Sequence, residues 1–181
     1  MNKKIAVLLS GNGSNLNAII KKGINVNFVV SNKPKAPGLK IAQQSNIPTY
    51  SWKNLSELEE HVLELVKIHD INFVVLAGFM RLLSKEFINS LPQRYIINVH
   101  PSILPEFKGL NAVEQALESG AKYTGVTIHY VDQGIDTGEI IQQETINIDK
   151  YDTIRSLKKR LQALEHDLFP KVIESILSKI N

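Results

Sequence analysis

At 181 residues, with 43% hydrophobic and 22% charged residues, the chain has ordinary globular proportions, which argues against both disorder and a membrane protein. The formal net charge is +3 with no dominant lysine-arginine block, a balance that suits small anionic ligands at least as well as nucleic acid. There is no cysteine, which excludes disulfides, thiolate catalysis and cysteine-ligated zinc.

The chain opens on basic residues and an apolar run. That run is shorter than the roughly seven to fifteen residues of a secretory signal, so Ile5 to Leu9 is predicted to be a buried parallel strand and the cytoplasm is the expected compartment. Ser10-Gly11-Asn12-Gly13-Ser14-Asn15 follows, and Leu16, Ile19 and Ile20 set a helical spacing. Strand, small polar turn and helix aim backbone N–H groups at an anion. Leu16 stands where a dinucleotide fingerprint needs its third glycine, and the P-loop lysine is missing, so a single phosphate fits better than a pyrophosphate. An ordinary glycine turn would read the same way.

Val26 to Ser31 reads as a second strand, Leu39, Ile41 and Ala42 as part of a short helix, and Ile47 to Trp52 as a third extended segment. Ser56 and Glu59 form a predicted capping box for a helix whose apolar face is Leu58, Val62, Leu65 and Val66, with His61 and His69 as solvated surface residues. Phe73 to Ala77 is another buried strand ending at Gly78, and a helix is expected from near Ser84. Alternating strands and helices predict an α/β fold with a mostly parallel, doubly wound, Rossmann-like sheet. The turns at Gly11–Asn15, Gly78–Leu83 and Asn98–Pro105 then share one rim.

Ile96 to His100 is an apolar strand in which Asn98 and His100 alternate, so an amide and an imidazole share a face just before Pro101 stops the strand. Asn111 to Ser119 reads as a helix closed by Gly120. Val126 to Val131 and Glu139 to Ile148 alternate across a glycine-bearing loop, which predicts antiparallel strands in the C-terminal half. Asp152 is expected to cap a long last helix that Pro170 should kink or interrupt.

The titratable groups on the predicted rim are His100, Asp132 and Asp136, with Arg81 as a fixed cation. An aspartate beside His100 would favour its protonated form and fix its tautomer, which suits a group that donates to a developing oxyanion. Asn98 could supply a second, neutral donor. With no cysteine and no G-x-S-x-G elbow, direct transfer to an incoming amine or water is favoured over a covalent intermediate. Asp136 could equally be a plain turn residue, and His129 reads as a structural histidine.

These segments together carry a resemblance. Gly11-Asn12-Gly13-Ser14-Asn15-Leu16, Ala77-Gly78-Phe79-Met80-Arg81, Asn98-Val99-His100-Pro101-Ser102-Ile103-Leu104-Pro105 and Ile135-Asp136-Thr137-Gly138 resemble, in order and over nearly the whole chain, the folate-dependent formyltransferase family, in its purine-synthesis branch. The resemblance implies transfer of a formyl group from 10-formyltetrahydrofolate, as co-substrate and without a metal, to the amine of glycinamide ribonucleotide. It implies a catalytic trio of His100, Asn98 and Asp136, and a phosphate site at Gly13, Ser14 and Asn15. Gln162 and Glu165 would meet the ribonucleotide. Met80, Arg81, Leu82 and Leu83, with Asp132, Gln133, Gly134 and Ile135, would meet the folate.

The expected organisation is a single domain over 1–181, with residues 1–100 as the phosphate-binding half and 101–181 as the folate-binding half. Small-molecule substrates, no nucleic acid, no membrane and a monomer or homodimer complete the expectation. Superfamily members acting on initiator tRNA would call for a further basic domain, and folate deformylases for a preceding regulatory one. A phosphate-binding module outside enzymes could share the glycine turn but would have no use for Asn98, His100 and Asp136 together. Three positions depart from the family pattern: Leu55 stands where an arginine often meets the folate, Lys108 replaces a proline, and Asn111 replaces a frequent histidine.

Overall fold

The computed structural model describes residues 3–180. Strands β1 (Ile5–Leu9), β2 (Val26–Ser31), β3 (Thr49–Ser51), β4 (Phe73–Leu76), β5 (Ile96–His100), β6 (Tyr123–Tyr130) and β7 (Ile140–Asn147) form one sheet in the order β3-β2-β1-β4-β5-β6-β7. The first five are parallel, and β6 and β7 pair antiparallel, as the change from continuous apolar runs to alternation predicts. The order reverses between β1 and β4, so the loops after these two strands flank the crevice where open α/β sheets bind ligands.

Helices cover both faces. On one side α1 (Ser14–Lys21), α2 (Pro37–Gln44), α5 (Ala112–Glu118) and α6 (Ile154–Lys179) bury Leu16, Ile19, Leu39, Val113, Leu161 and Phe169 against the sheet. On the other, α3 (Leu55–Ile68) and α4 (Lys85–Asn89) bury Leu58, Val62, Val66 and Phe87. Strand alternation assigns Ile97 and Val99 to the first core and Ile96 to the second, so Asn98 and His100 continue the face of Ile96.

Four local expectations fail. Asn54, not Ser56, caps α3 by accepting from the Ser56 and Glu57 N–H groups, and Glu59 turns inward to meet Ser84. An asparagine two residues earlier competes successfully for the cap, since its carbonyl oxygen reaches two free amides at once. Thr153 with Ser156 makes the capping box of α6, while Asp152 accepts from the Ser156 hydroxyl and pairs with Arg160. Pro170 does not interrupt α6. It leaves the His166 carbonyl without its usual intrahelical donor, but burial of Leu168, Phe169, Val172 and Ile173 around it holds the helix together. His61 and His69 are not free in solvent: His61 stacks on Trp52 at 4.5 Å between centroids, and His69 lies 5.7 Å from the Phe28 ring.

Gly13 stands at the start of α1 with φ 74°, and a Cβ there would lie 2.6 Å from the Gly38 Cα. The Gly38 N–H also donates to the Gly11 carbonyl at 3.1 Å, so the first turn and the start of α2 are locked together. Gly13→Val therefore adds both left-handed strain and a backbone collision. It is expected to destabilise the protein by about 2 kcal/mol or more in urea unfolding, and a loss under about 0.5 kcal/mol would contradict this packing.

Candidate active site

The loop after β1 and the last helix meet at one corner of the molecule. Helix geometry leaves the first N–H groups of α1 without intrahelical acceptors, and its first turn contains no acidic residue and no side-chain cap. That is the environment a phosphate satisfies. The Ser14 hydroxyl accepts from the Gln162 amide at 2.9 Å, and the Asn15 amide donates to Glu165 Oε2 at 2.8 Å. Residues some 150 positions apart in the chain are thereby joined. Burial pushes the Glu165 carboxyl above its ordinary range, partly offset by the Asn15 hydrogen bond. Asn15 Oδ1 is buried without a donor, so this corner keeps an acceptor in reserve.

Antiparallel register builds the second subsite. It sets Asn98 opposite His129 and His100 opposite Thr127. His100 and Asn98 are fixed at a strand end, while Asp136 arrives from the loop between β6 and β7, folded to φ 50° so that its carboxylate turns back over the strands. Aspartate tolerates that left-handed conformation better than most residues. Asp136 Oδ2 lies 3.4 Å from His100 Nδ1 and accepts from the Gly109 N–H at 2.8 Å, while its Oδ1 lies 3.5 Å from His129 Nε2. Burial works to raise the Asp136 pKa. The His129 hydrogen bond, the Gly109 amide and the charges of His100 and His129 together outweigh it and hold the group down at about 2.

His100 Nε2 lies 2.8 Å from the Phe107 carbonyl, which can only accept, so this nitrogen carries a proton. Each side of the ring thus faces an acceptor, the surroundings that an imidazolium with two N–H groups satisfies. The loop that carries Phe107 is tied down behind the histidine. Thr127 Oγ1 donates to the Ser102 carbonyl at 2.7 Å and accepts from the Leu104 N–H at 3.1 Å, and the Gln143 amide donates to the Leu104 carbonyl at 2.8 Å.

His129 is the residue that reading the sequence missed. Its Nδ1 lies 2.8 Å from the Tyr130 carbonyl, which can only accept, and its Nε2 lies 3.2 Å from the Asn98 amide nitrogen and 3.5 Å from Asp136 Oδ1. The alternation of V-T-I-H-Y-V does put His129 on a definite face of β6. Only the β5–β6 register turns that face toward Asn98.

The two segments read as folate contacts lie beside this group, with differences among their members. Met80 and Leu82 are 59% and 60% exposed, and with Arg81 and Ile135 they present an open, partly apolar lip. Leu83 is only 6% exposed and packs in the second core, so it can offer a ligand backbone but no side chain. Asp132 is spent within its own turn, accepting from the Gly134 N–H at 3.0 Å and the Thr137 hydroxyl at 2.6 Å. The Gln133 amide donates to Asn89 at 2.9 Å, which ties this turn to α4. Among the described residues, no group of three or more histidine, aspartate or glutamate side chains is set to hold a metal ion, and no helix is long and apolar enough to cross a membrane.

Comparison with known proteins shows the family to which the chain belongs. The family model described as formyl transferase matches residues 3–173. The chain is 39% identical to phosphoribosylglycinamide formyltransferase of Bacillus subtilis (strain 168), over 99% of this chain and 97% of that protein. It is also 39% identical to the human trifunctional purine biosynthetic protein adenosine-3, over 97% of this chain but only 18% of that much longer protein. The crystal structure of phosphoribosylglycinamide formyltransferase from Bacillus halodurans superposes with a TM-score of 0.92 at 39% identity, covering 98% and 96% of the two chains.

A carboxyl whose folded pKa is depressed from 3.8 to about 2 contributes stability above pH 4 that disappears as the pH falls through 2. Asp136→Asn removes that titration while keeping a side chain that accepts a left-handed backbone. The stability difference between parent and variant is expected to shrink by on the order of 2 kcal/mol between pH 4 and pH 2 in urea unfolding. A difference independent of pH over that interval would show that Asp136 is not held ionised by its neighbours.

Proposed function

Because the chain belongs to the formyl transferase family, we propose that it transfers a formyl group from 10-formyltetrahydrofolate to the amine of glycinamide ribonucleotide, a step of purine synthesis. The observation that carries this reading is the meeting of Asn98, His100 and Asp136 around one point at the strand ends. Beside them lies an anion subsite able to take the ribonucleotide phosphate on Gly13, Ser14 and Asn15, with Gln162 and Glu165 beside the sugar. The exposed Met80, Leu82 and Ile135, with Arg81, suit a flat aromatic donor that carries a negatively charged tail. Around them, Leu83, Asp132, Gln133 and Gly134 act through backbone position and turn shape.

The substrate amine attacks the formyl carbon, forming a C–N bond and moving the carbonyl electron pair onto oxygen. Asn98 donates to that oxyanion through its amide, which packs beside His129 at 3.2 Å. His100 supplies the second donor by sharing its Nε2–H, held by the Phe107 carbonyl, with that oxygen while keeping the proton, and Asp136 stabilises the positive ring and fixes its orientation. As the intermediate collapses, the bond from carbon to N10 of the folate breaks. The proton lost by the amine is balanced by the one gained at N10. No enzyme nucleophile is required, since the attacking amine is itself nucleophilic once its proton is removed.

A formyl-transfer assay offering glycinamide ribonucleotide, water and charged initiator tRNA as acceptors tests the proposal. Transfer to the ribonucleotide is expected, and exclusive transfer to either of the others refutes the acceptor. His100→Ala and Asp136→Asn should each lower kcat by at least about a hundredfold with ribonucleotide binding retained. Near-normal turnover in either variant overturns the roles given to these side chains.

A further inference from the structure

We infer that Met80–Leu83 is a strap pinned at both ends by buried polar side chains, Ser10 with Asn32 at one end and Glu59 at the other, and that these are positioning residues for the folate donor. The inference rests on the reading of Met80–Leu83 as a wall of the folate site. The mechanism makes no use of these three side chains, and their burial needs a reason.

At the first end, the loop after β4 is tied to the loop after β1. The Ser10 N–H donates to the Gly78 carbonyl at 3.0 Å. The Ser10 hydroxyl accepts from the Met80 N–H at 2.8 Å and donates to Asn32 Oδ1 at 2.6 Å. Asn32 thereby fixes the rotation of the hydroxyl and keeps its lone pair on Met80. At the second end, Glu59 projects from α3 and is only 7% exposed. Its Oε1 accepts from the Ser84 N–H at 2.7 Å and its Oε2 from the Ser84 hydroxyl at 2.6 Å. Capping of α4 does not account for this carboxylate, because the Ser84 hydroxyl already accepts from the Phe87 N–H at 3.1 Å.

Between the pins the backbone belongs to neither helix nor strand, and three consecutive side chains, Met80, Arg81 and Leu82, lie open to solvent. Only Leu83 is buried. Such a segment would sample many conformations if its ends were released, and ordering it would then oppose ligand binding. Pinned at both ends, it presents the donor with a wall formed in advance.

The test compares parent enzyme with Ser10→Ala, Glu59→Leu and Glu59→Gln, reading amide hydrogen exchange over residues 80–84 together with KM for each substrate. Ser10→Ala and Glu59→Leu each remove a charged or buried hydrogen-bond partner, so faster exchange in the strap and a rise of about tenfold in the 10-formyltetrahydrofolate KM are expected. The ribonucleotide KM should stay within about twofold of parent, on the same scale. Glu59→Gln keeps an acceptor for the Ser84 N–H and a donor for its hydroxyl, so it should restore values close to those of the parent. Unchanged exchange in both disruptive variants overturns the pinning. Faster exchange with an unchanged donor KM sinks the folate assignment of the strap and leaves the pinning intact. An equal rise in both KM values overturns the positioning role in favour of a general loosening.

Discussion

The candidate site depends on one half-buried carboxylate that stays ionised. Asp136 sits where burial disfavours charge, and its negative form persists because the Gly109 N–H and two imidazoles surround it. Each of those partners comes from a different part of the chain: His100 ends β5, His129 lies on β6, and Gly109 belongs to the loop between β5 and α5. The loop that carries Phe107, the strand end and the turn after β6 are thus held by a single charge, and the low-dielectric surroundings make that charge effective.

That arrangement in turn depends on the register of the antiparallel edge. Side chains on a strand alternate, so a slip of one residue between β5 and β6 would move His129 and Thr127 to the opposite face. His129 would then enter the apolar core, and Thr127 would abandon the Ser102 and Leu104 backbone it holds. Such a slip would strand polar groups inside and expose Val126 and Ile128, so the hydrophobic pattern of β6 protects the polar geometry of the site. The parallel part of the sheet fixes the remainder. Loops leaving β1 and β4 meet at Ser10, and one helix from the far end of the chain, α6, closes the corner at the start of α1 through Gln162 and Glu165.

The strands were legible because continuous apolar runs bounded by glycine, proline or polar turns have few other uses. The helix starts were less so. Asn54 displaced Ser56, and Thr153 displaced Asp152, because several neighbouring residues could each cap and only the path of the entering chain chose among them. Pro170 leaves α6 uninterrupted for a related reason: its penalty is local, whereas the burial that offsets it is supplied by the sheet. In the site, Asp132 and Leu83 were read alongside their neighbours in sequence, yet one is turned into its own loop and the other into the core.

Taken alone, the sequence determined the alternation of strand and helix, the change to antiparallel pairing in the C-terminal half, and the chemical types placed at strand ends. These follow from periodicities of two and 3.6 residues and from what glycine and proline forbid, all of which are local. Tertiary structure alone decided that Asp136 reaches His100, that His129 faces Asn98, and that Glu59 leaves its helix cap for Ser84. Those contacts join residues 25 to 36 positions apart, and distances on that scale are set by sheet register and by the turns between strands. No periodicity in the chain encodes them, so the strand ends could be named from sequence while their partners had to be seen.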